Sequence, residues 1–284
     1  MRSLTQIRYL YKKIKLTFSI YITFSKAELK QNYLAYKSRF FLWIGSNSVT
    51  LIIQIILWMA IFDSSPSETI NGYTKAGMID YNVISKITES FTFVSFESKV
   101  SEDIDNGSIV MDLMRPIDYT KELLFRSFGE VLGSILMFSP IYILIGFIVN
   151  DFHLHFSNIL SIFMYLFFIL IAFLMNFFLC LLFSSFIFKT IKSRGVYALK
   201  TTLIGLLSGA LIPMDMYPRF IRSFLSYSPL IYLRYVPISV ITGKINFYQS
   251  LIYLFIGIPW TIILYFISKA LWKRQIVSLT IFGG

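Results

Sequence analysis

The sequence predicts an all-α integral membrane protein with six transmembrane helices, and three observations predict this fold class. Hydrophobic residues make up 56% of the 284 residues and charged residues only 14%, whereas ordinary soluble domains carry about 25% charged residues. The mean hydropathy is +0.68. Several apolar runs without charge reach about 18 residues, the length at which a helix can cross a bilayer. We therefore expect residues 1–284 to form a single transmembrane domain.

Six segments are predicted to cross the membrane: 40–62, 79–96, 131–149, 156–188, 196–213 and 245–268. The fourth run exceeds one perpendicular crossing, so we expect it to tilt or to extend beyond the hydrocarbon. The second contains Asp80, Lys86 and Glu89, each of which would be costly against lipid. This segment must therefore face protein or water. Lys200 lies near the cytoplasmic end of the fifth segment, where its side chain can snorkel to the interface.

The distribution of basic residues predicts the orientation. With the N-terminus inside, the cytoplasmic segments hold twenty Lys and Arg residues and the outer segments five, which follows the positive-inside tendency. Six spans place both termini on the same side of the membrane, and this bias places them in the cytoplasm. The net charge of +11 is typical here of membrane flanks that bind anionic lipids, so we expect no nucleic-acid partner. The richness in Ile, Lys, Phe and Asn hints at an AT-rich bacterium, and hence at a bacterial plasma membrane.

The N-terminal segment 1–38 is predicted to be an interfacial helix. Basic residues such as Lys12 and Lys15 alternate with apolar ones such as Ile14 and Phe18, and a basic amphipathic helix suits a membrane surface. We place it on the cytoplasmic face before the first span.

The segment 97–126 is polar and punctuated by Gly and Pro, and it is predicted to be a cytoplasmic loop between spans two and three. Ser101 is expected to cap a helix whose first turn holds Glu102 and Asp103. Gly107 should break this helix, and Pro116 should end the next one, because the residue before a proline avoids the helical region. Asp118 is then placed to cap a third helix.

An apolar stripe runs along the middle of this loop. Ile109 and Leu113, and likewise Val110 and Met114, stand four residues apart and so share a helix face. The loop is either a solvated connector or a docking element. In the second case the stripe enters a groove on a soluble partner and Arg115 pairs with an acidic residue there.

The stretch IDNGSIVMDLMRPID resembles the coupling-helix signature of type-2 ABC transporter permeases. The matching positions are Ile104, Gly107, Leu113, Arg115 and Pro116. A second likeness to the same family lies at the end of span five and beyond it, where the matching residues are Ser208, Gly209, Pro213, Pro218 and Pro229. The resemblance extends over nearly the whole chain, although the polar second span departs from the family pattern.

The resemblance implies the membrane subunit of a bacterial ABC exporter, which moves a peptide, a lipid or a drug-like molecule. It implies two ATP-binding-cassette ATPase subunits, which bind ATP and Mg²⁺, and a second permease chain, related or identical. It also implies that the loop couples to the ATPases. The residues concerned are Glu102, Asp103, Gly107, Ile109, Val110, Leu113, Met114, Arg115 and Pro116.

We expect no catalysis and no cofactor in this chain, since the sequence has no GxxxxGK[ST] phosphate loop. The alternative hypothesis is a membrane-embedded enzyme or sensor that acts without an ATPase. His153 and His155 form an H-x-H pair, but no cluster of further ligands accompanies them, so no metal site is expected. Cys180 lies in an apolar run and is predicted to be a packing residue.

Two sets of polar residues inside or beside the spans have open roles. Asp80, Lys86 and Glu89 either line a translocation pathway or contact a partner subunit, or they lie at an interface because the true span starts later. Asn176 in span four makes either a hydrogen bond between helices or a pathway contact.

Segment 214–244 is predicted to form short re-entrant helices on the extracellular side, because it is half apolar and is broken by three prolines. Pro213, Arg219, Arg222 and Arg234 could form an exit gate that contacts lipid head groups or an anionic cargo. The other interpretation is an aromatic belt with snorkelling arginines.

Overall fold

Eleven α-helices and one β-hairpin make up the part of the chain that this computed structural model describes, residues 18–31, 37–150, 158–190 and 193–282. Helix α1 covers residues 18–31. The others are α2 (Lys37–Ser64), α3 (Lys75–Thr92), α4 (Glu97–Asp105), α5 (Ser108–Met114), α6 (Tyr119–Asn150), α7 (Ile159–Thr190), α8 (Ser193–Leu207), α9 (Arg219–Ser226), α10 (Tyr235–Ile241) and α11 (Phe247–Phe282). Strands β1 (Thr69–Ile70) and β2 (Tyr73–Thr74) pair antiparallel.

Four helices in the described ranges are long and apolar enough to cross a membrane. They lie at Leu42–Ser64, Tyr119–Val149, Ile159–Lys189 and Phe247–Val277, within α2, α6, α7 and α11. These correspond to the first, third, fourth and sixth predicted spans. Helix α3 is too polar for this criterion and α8 has only 15 residues, so the second and fifth crossings stay predictions.

Helix α7 lies at the centre of the molecule. Phe168, Ala172, Met175 and Cys180 have no exposed surface, and α7 packs against α3, α4, α8, α10 and α11. A helix that is apolar on all sides is typical of such a buried position. The long charge-free run in the sequence is therefore explained by contacts on several faces, and Cys180 is a packing residue.

The helices extend between two ends of the molecule. The hairpin end holds β1, β2 and the segment 214–244, since Tyr73 of β2 donates a hydrogen bond to Asp215. The loop end holds α1, α4 and α5. Helix α3 follows β2 directly and ends just before α4. Helix α8 contacts α4 through Lys200 and reaches the hairpin end, where the Ser208 carbonyl accepts from the amide of Tyr235.

Segment 214–244 folds back into the bundle through two 3-10 turns, Met214–Met216 and Pro229–Leu233, and the helices α9 and α10. Ile231, Tyr232 and Val236 are buried in a cluster with α7 and α11. Pro229 opens its turn, a position where a missing N–H costs nothing. Gly209 precedes this segment with φ +86°, and a Cβ there would lie 2.8 Å from Cβ of Tyr235, so this close approach requires glycine.

Candidate functional site

The loop between α3 and α6 has a hinge and a stop where the sequence predicts them. Gly107 separates α4 from α5 in the left-handed region, with φ 71°, which glycine adopts without steric cost. Arg115 is extended before Pro116 and ends α5. The expected cap at Ser101 is wrong, because α4 begins four residues earlier, at Glu97, and Ser101 is buried inside the helix.

The predicted apolar stripe divides into an inner and an outer face. Ile109 is 2% exposed, and Leu113 packs against a core cluster that includes Tyr119 and Trp272. Val110, Met111 and Met114 are instead 53%, 72% and 81% exposed. We call these three residues the exposed loop face. Ile109 and Leu113 therefore hold α5 on the protein, contrary to the predicted docking stripe.

The charged residues of the loop also divide by position. Asp103 is buried and accepts hydrogen bonds from Tyr119 Oη at 2.7 Å and Lys99 Nζ at 2.9 Å, so it attaches α4 to α6. Glu102 is exposed. Arg115 pairs with Asp112 at 2.8 Å, but about half of its side chain remains exposed. Of the predicted charged contacts, the structure thus leaves Glu102 and Arg115 accessible at the loop end.

Helix α1 is attached to the start of α6. Arg126 donates to Glu28 of α1 and to Glu122 of α6, both at 2.9 Å. The backbone amide of Asp118 donates to Tyr21 Oη at 3.3 Å. The pKa of Asp118 is lowered. Burial alone would raise it, but hydrogen bonds from the Thr120 side chain and from the backbone amide of Lys121 outweigh this effect. The rest of the predicted interfacial segment, residues 1–17 and 32–36, lies outside the described residues.

Gly129 of α6 allows α1 to approach closely, because a Cβ at this position would meet the carbonyl oxygen of Ser25. We expect Gly129→Ala to displace α1 and to lower the free energy of unfolding by about 1–3 kcal/mol, measured as thermal unfolding in detergent. The matched control is Gly45→Ala in α2, where a Cβ meets nothing within 4 Å. Equal stability of the two variants would contradict the packing of α1 on α6.

A polar cavity of about 170 Å³ lies among α2, α3, α7 and α8. Its polar lining includes Thr50, Gln54, Ser85, Lys86, Glu89, Asn176, Tyr197, Lys200, Thr201 and Arg234. Lys86 Nζ lies 3.0 Å from Glu89 Oε2, and Asn176 Nδ2 donates to the carbonyl of Thr92 at 2.6 Å. The structure thus brings together three of the four predicted pathway residues. Asp80 lies nearer to the hairpin end of α3, away from this lining.

The four residues of the predicted gate do not form one group. Arg234 is 4% exposed, and its Nη1 donates to Thr92 Oγ1 at 2.5 Å and to the carbonyl of Leu233 at 2.9 Å. Its predicted place on the outer surface is wrong, because the re-entrant path of segment 214–244 carries it into the polar cavity. Pro213 is buried, whereas Arg219 and Arg222 are exposed at the hairpin end.

A buried ion pair joins the loop to α8. Lys200 Nζ lies 2.5 Å from Glu97 Oε1, and neither side chain is more than 3% exposed. Lys200 also donates to the carbonyl of Val94 at 2.8 Å. The expected snorkelling of Lys200 is therefore wrong. A charge in an apolar helix is costly, so the sequence could have indicated that Lys200 needs a partner. It could not have indicated Glu97 as this partner, because Glu97 belongs to a segment that was predicted to be a solvent-exposed loop.

A second polar group lies at the hairpin end, and sequence reasoning missed it. Asp215 accepts hydrogen bonds from Tyr73 Oη at 3.1 Å and Tyr235 Oη at 3.1 Å. Arg222 and Lys244 each lie 3.2 Å from its carboxylate. We call these five residues the Asp215 cluster. Burial and the nearby carboxylate raise the pKa of Tyr73. Burial lowers the pKa of Lys244, although the negative charge of Asp215 acts in the opposite direction.

The described part of the chain has four helices long and apolar enough to cross a membrane, a charged cavity between helices and an accessible apolar loop face. These are features of a membrane transport subunit. It matches the model of a family described as ABC-2 family transporter protein over residues 48–283, and it belongs to this family. No match was found among the curated proteins. The predicted resemblance to type-2 ABC permeases is confirmed. The chain is thus a multi-pass permease subunit of an ABC transporter, in a family that is not itself catalytic.

Among the described residues, no group of three or more His, Cys, Asp or Glu side chains is placed to hold a metal ion. His153 and His155 lie outside those residues.

Proposed function

We propose that this chain is the permease of an ATP-driven exporter, which moves a substrate such as a peptide, a lipid or a drug-like molecule out of the cell. Two ATPase subunits bind ATP and Mg²⁺ on the cytoplasmic side, and two permease chains form the pathway. Family membership supports the association with ATPases. The observation that carries the docking site is the exposed loop face, since a cluster of exposed apolar side chains in a polar loop marks an interaction surface.

Six crossings with both termini in the cytoplasm fit the arrangement of α3 and α8. Each connects the loop end with the hairpin end, as the four apolar spans do. The 18 residues of α3 extend about 27 Å, which is close to the roughly 30 Å of the hydrocarbon core. Polar side chains of α3 such as Asn82, Ser85 and Thr88 are buried. They contact protein instead of lipid, and this makes a polar crossing tolerable.

The pathway is proposed to run along the polar cavity. The volume of this cavity, about 170 Å³, is smaller than that of pockets that hold drug-sized ligands, which is about 300–1,000 Å³. This cavity alone therefore holds too little space for such a substrate, which supports a second permease chain that would enlarge it. Lys86, Glu89, Asn176 and Arg234 are then the residues that a passing substrate contacts. Asp80 lies elsewhere on α3, nearer to the hairpin end.

Thiol labelling in intact cells tests the orientation. The native Cys180 is fully buried, so labelling reports an introduced cysteine. We expect Ser67→Cys at the hairpin end to react with a membrane-impermeant maleimide, and Ser108→Cys at the loop end to react only after the membrane is permeabilised. The reverse pattern would exclude a cytoplasmic docking loop. Purification of the intact permease without any ATPase would favour the alternative function, a membrane enzyme or sensor.

A further inference from the structure

Helix α9 is amphipathic and presents aromatic side chains outward at the hairpin end. Phe220 and Phe224 are 85% and 74% exposed, and Tyr227 directly after the helix is 70% exposed. Arg219 and Arg222 belong to the same short helix. The carbonyl of Tyr227 accepts a hydrogen bond from Trp260 Nε1 of α11 at 2.9 Å, so the end of α9 lies against the side of this apolar helix. Exposed aromatic residues beside basic ones are typical of a surface that contacts lipid.

A groove of about 730 Å³ opens beside this helix, between segment 214–244 and α11. One part is polar and includes Arg222, Lys244 and Gln249. The other part is formed by Ile252, Tyr253 and Ile256 of α11. The side chain of Ile252 is 61% exposed, so the apolar wall of the groove continues into the outward face of a membrane-spanning helix.

The Asp215 cluster holds the two cations of the groove together. Arg222 and Lys244 contact the same carboxylate, which also accepts bonds from two tyrosines. Arginine carries five N–H donors and the lysine ammonium three, so contact with Asp215 leaves donors on both cations. The Arg222 side chain is 52% exposed and that of Lys244 31%. Among the described residues that line the groove, two cations and one carboxylate give its mouth a net charge of +1, which favours an anion.

We propose that this groove binds an anionic phospholipid. The phosphate contacts Arg222 and Lys244, and an acyl chain lies along Ile252 and Ile256 of α11. Asp215 is a positioning residue, because it contacts both cations and so holds them at the mouth of the groove. The proposal concerns the permease alone and does not depend on the direction of transport or on the ATPase.

The test uses the purified, delipidated full chain in detergent, titrated with dioleoyl phosphatidylglycerol and followed by native mass spectrometry. We expect saturable binding of one lipid to this site, and binding about fivefold weaker in Arg222→Gln and in Lys244→Gln, because each removes one cation at the membrane surface. Arg219→Gln is the matched control. It removes an exposed arginine of the same helix that does not line the groove, so its binding should remain that of the wild type.

Three further titrations distinguish an anionic phospholipid from other ligands of the groove. Dioleoyl phosphatidylcholine should bind more weakly than the anionic lipid, and equal binding would overturn selectivity for an anion. Inorganic phosphate should fail to compete at equal concentration, and effective competition would indicate a simple anion site without a lipid. Dihexanoyl phosphatidylglycerol should bind more weakly than the long-chain lipid, and equal binding would contradict the acyl-chain contact on α11. Unchanged binding in both groove variants would overturn the proposal.

Discussion

The double substitution Met111→Glu and Met114→Glu is expected to release the ATPase subunits from the permease. Both side chains are largely exposed in the isolated chain, so their loss should leave folding and membrane insertion intact. Burial of one methionine in a partner's groove contributes about 1.5–3 kcal/mol. Loss of two, with a carboxylate desolvated at each position, should therefore weaken binding at least about 100-fold. Retention of the ATPase on tagged permease measures this effect, together with ATP hydrolysis in proteoliposomes.

The control for this experiment carries the same charges at the opposite end of the molecule. Ser67→Glu and Thr69→Glu change an exposed residue before the hairpin and an exposed residue of β1, and we expect full retention of the ATPase. Arg115→Glu should give a smaller loss than the double methionine variant, since Arg115 already pairs with Asp112. If the methionine variant retains the ATPase and couples hydrolysis to transport, the loop is only a connector and the ATPase docks elsewhere.

The loop shows which parts of the structure could be predicted from sequence. The break at Gly107 and the stop before Pro116 follow from local backbone rules, which depend only on neighbouring residues. The inner and outer faces of α5 depend on where α4 and α6 lie, and this is set by contacts distant in sequence. Periodicity pairs Ile109 with Leu113 and Val110 with Met114, but it does not show which pair faces the protein. Ile109 is buried and Met114 is exposed.

The polar cavity likewise contains residues that could be predicted from sequence and one that could not. Lys86, Glu89 and Asn176 could be found because charged or amide side chains in apolar runs are costly unless they have partners. Arg234 was misplaced because sidedness was assigned to segment 214–244 as a whole, whereas its re-entrant turns bring this residue to Thr92, 142 positions away in the chain. The mean hydropathy of α3 does not decide whether this helix crosses the membrane, because an average over all faces cannot distinguish polar side chains that are directed into protein.

Removal of one partner from the buried pair of Lys200 and Glu97 is expected to destabilise the permease strongly. Lys200→Met would leave the Glu97 carboxylate buried without its cation, and Glu97→Gln would leave the ammonium without its carboxylate. Each loss of one partner from a buried pair costs about 3–5 kcal/mol. We therefore expect either variant to lower the thermal unfolding temperature of the purified permease strongly. The control is Lys86→Met, whose partner Glu89 has a side chain that is 33% exposed and so remains partly solvated.

The double variant Lys200→Met and Glu97→Gln distinguishes a coupled pair from two independent losses. Because it leaves no unpaired charge, it should be more stable than either single variant, as expected for replacement of a buried pair by uncharged groups. Its function should nevertheless be impaired.

Glu97 begins α4 of the loop and Lys200 belongs to α8, so the pair is a direct link through which displacement of the loop can reach the bundle. We expect the double variant to retain the ATPase and to hydrolyse ATP with reduced transport. A double variant as unstable as the sum of the two single variants would show that the side chains are not coupled, and full transport would show that the loop moves the bundle through other contacts.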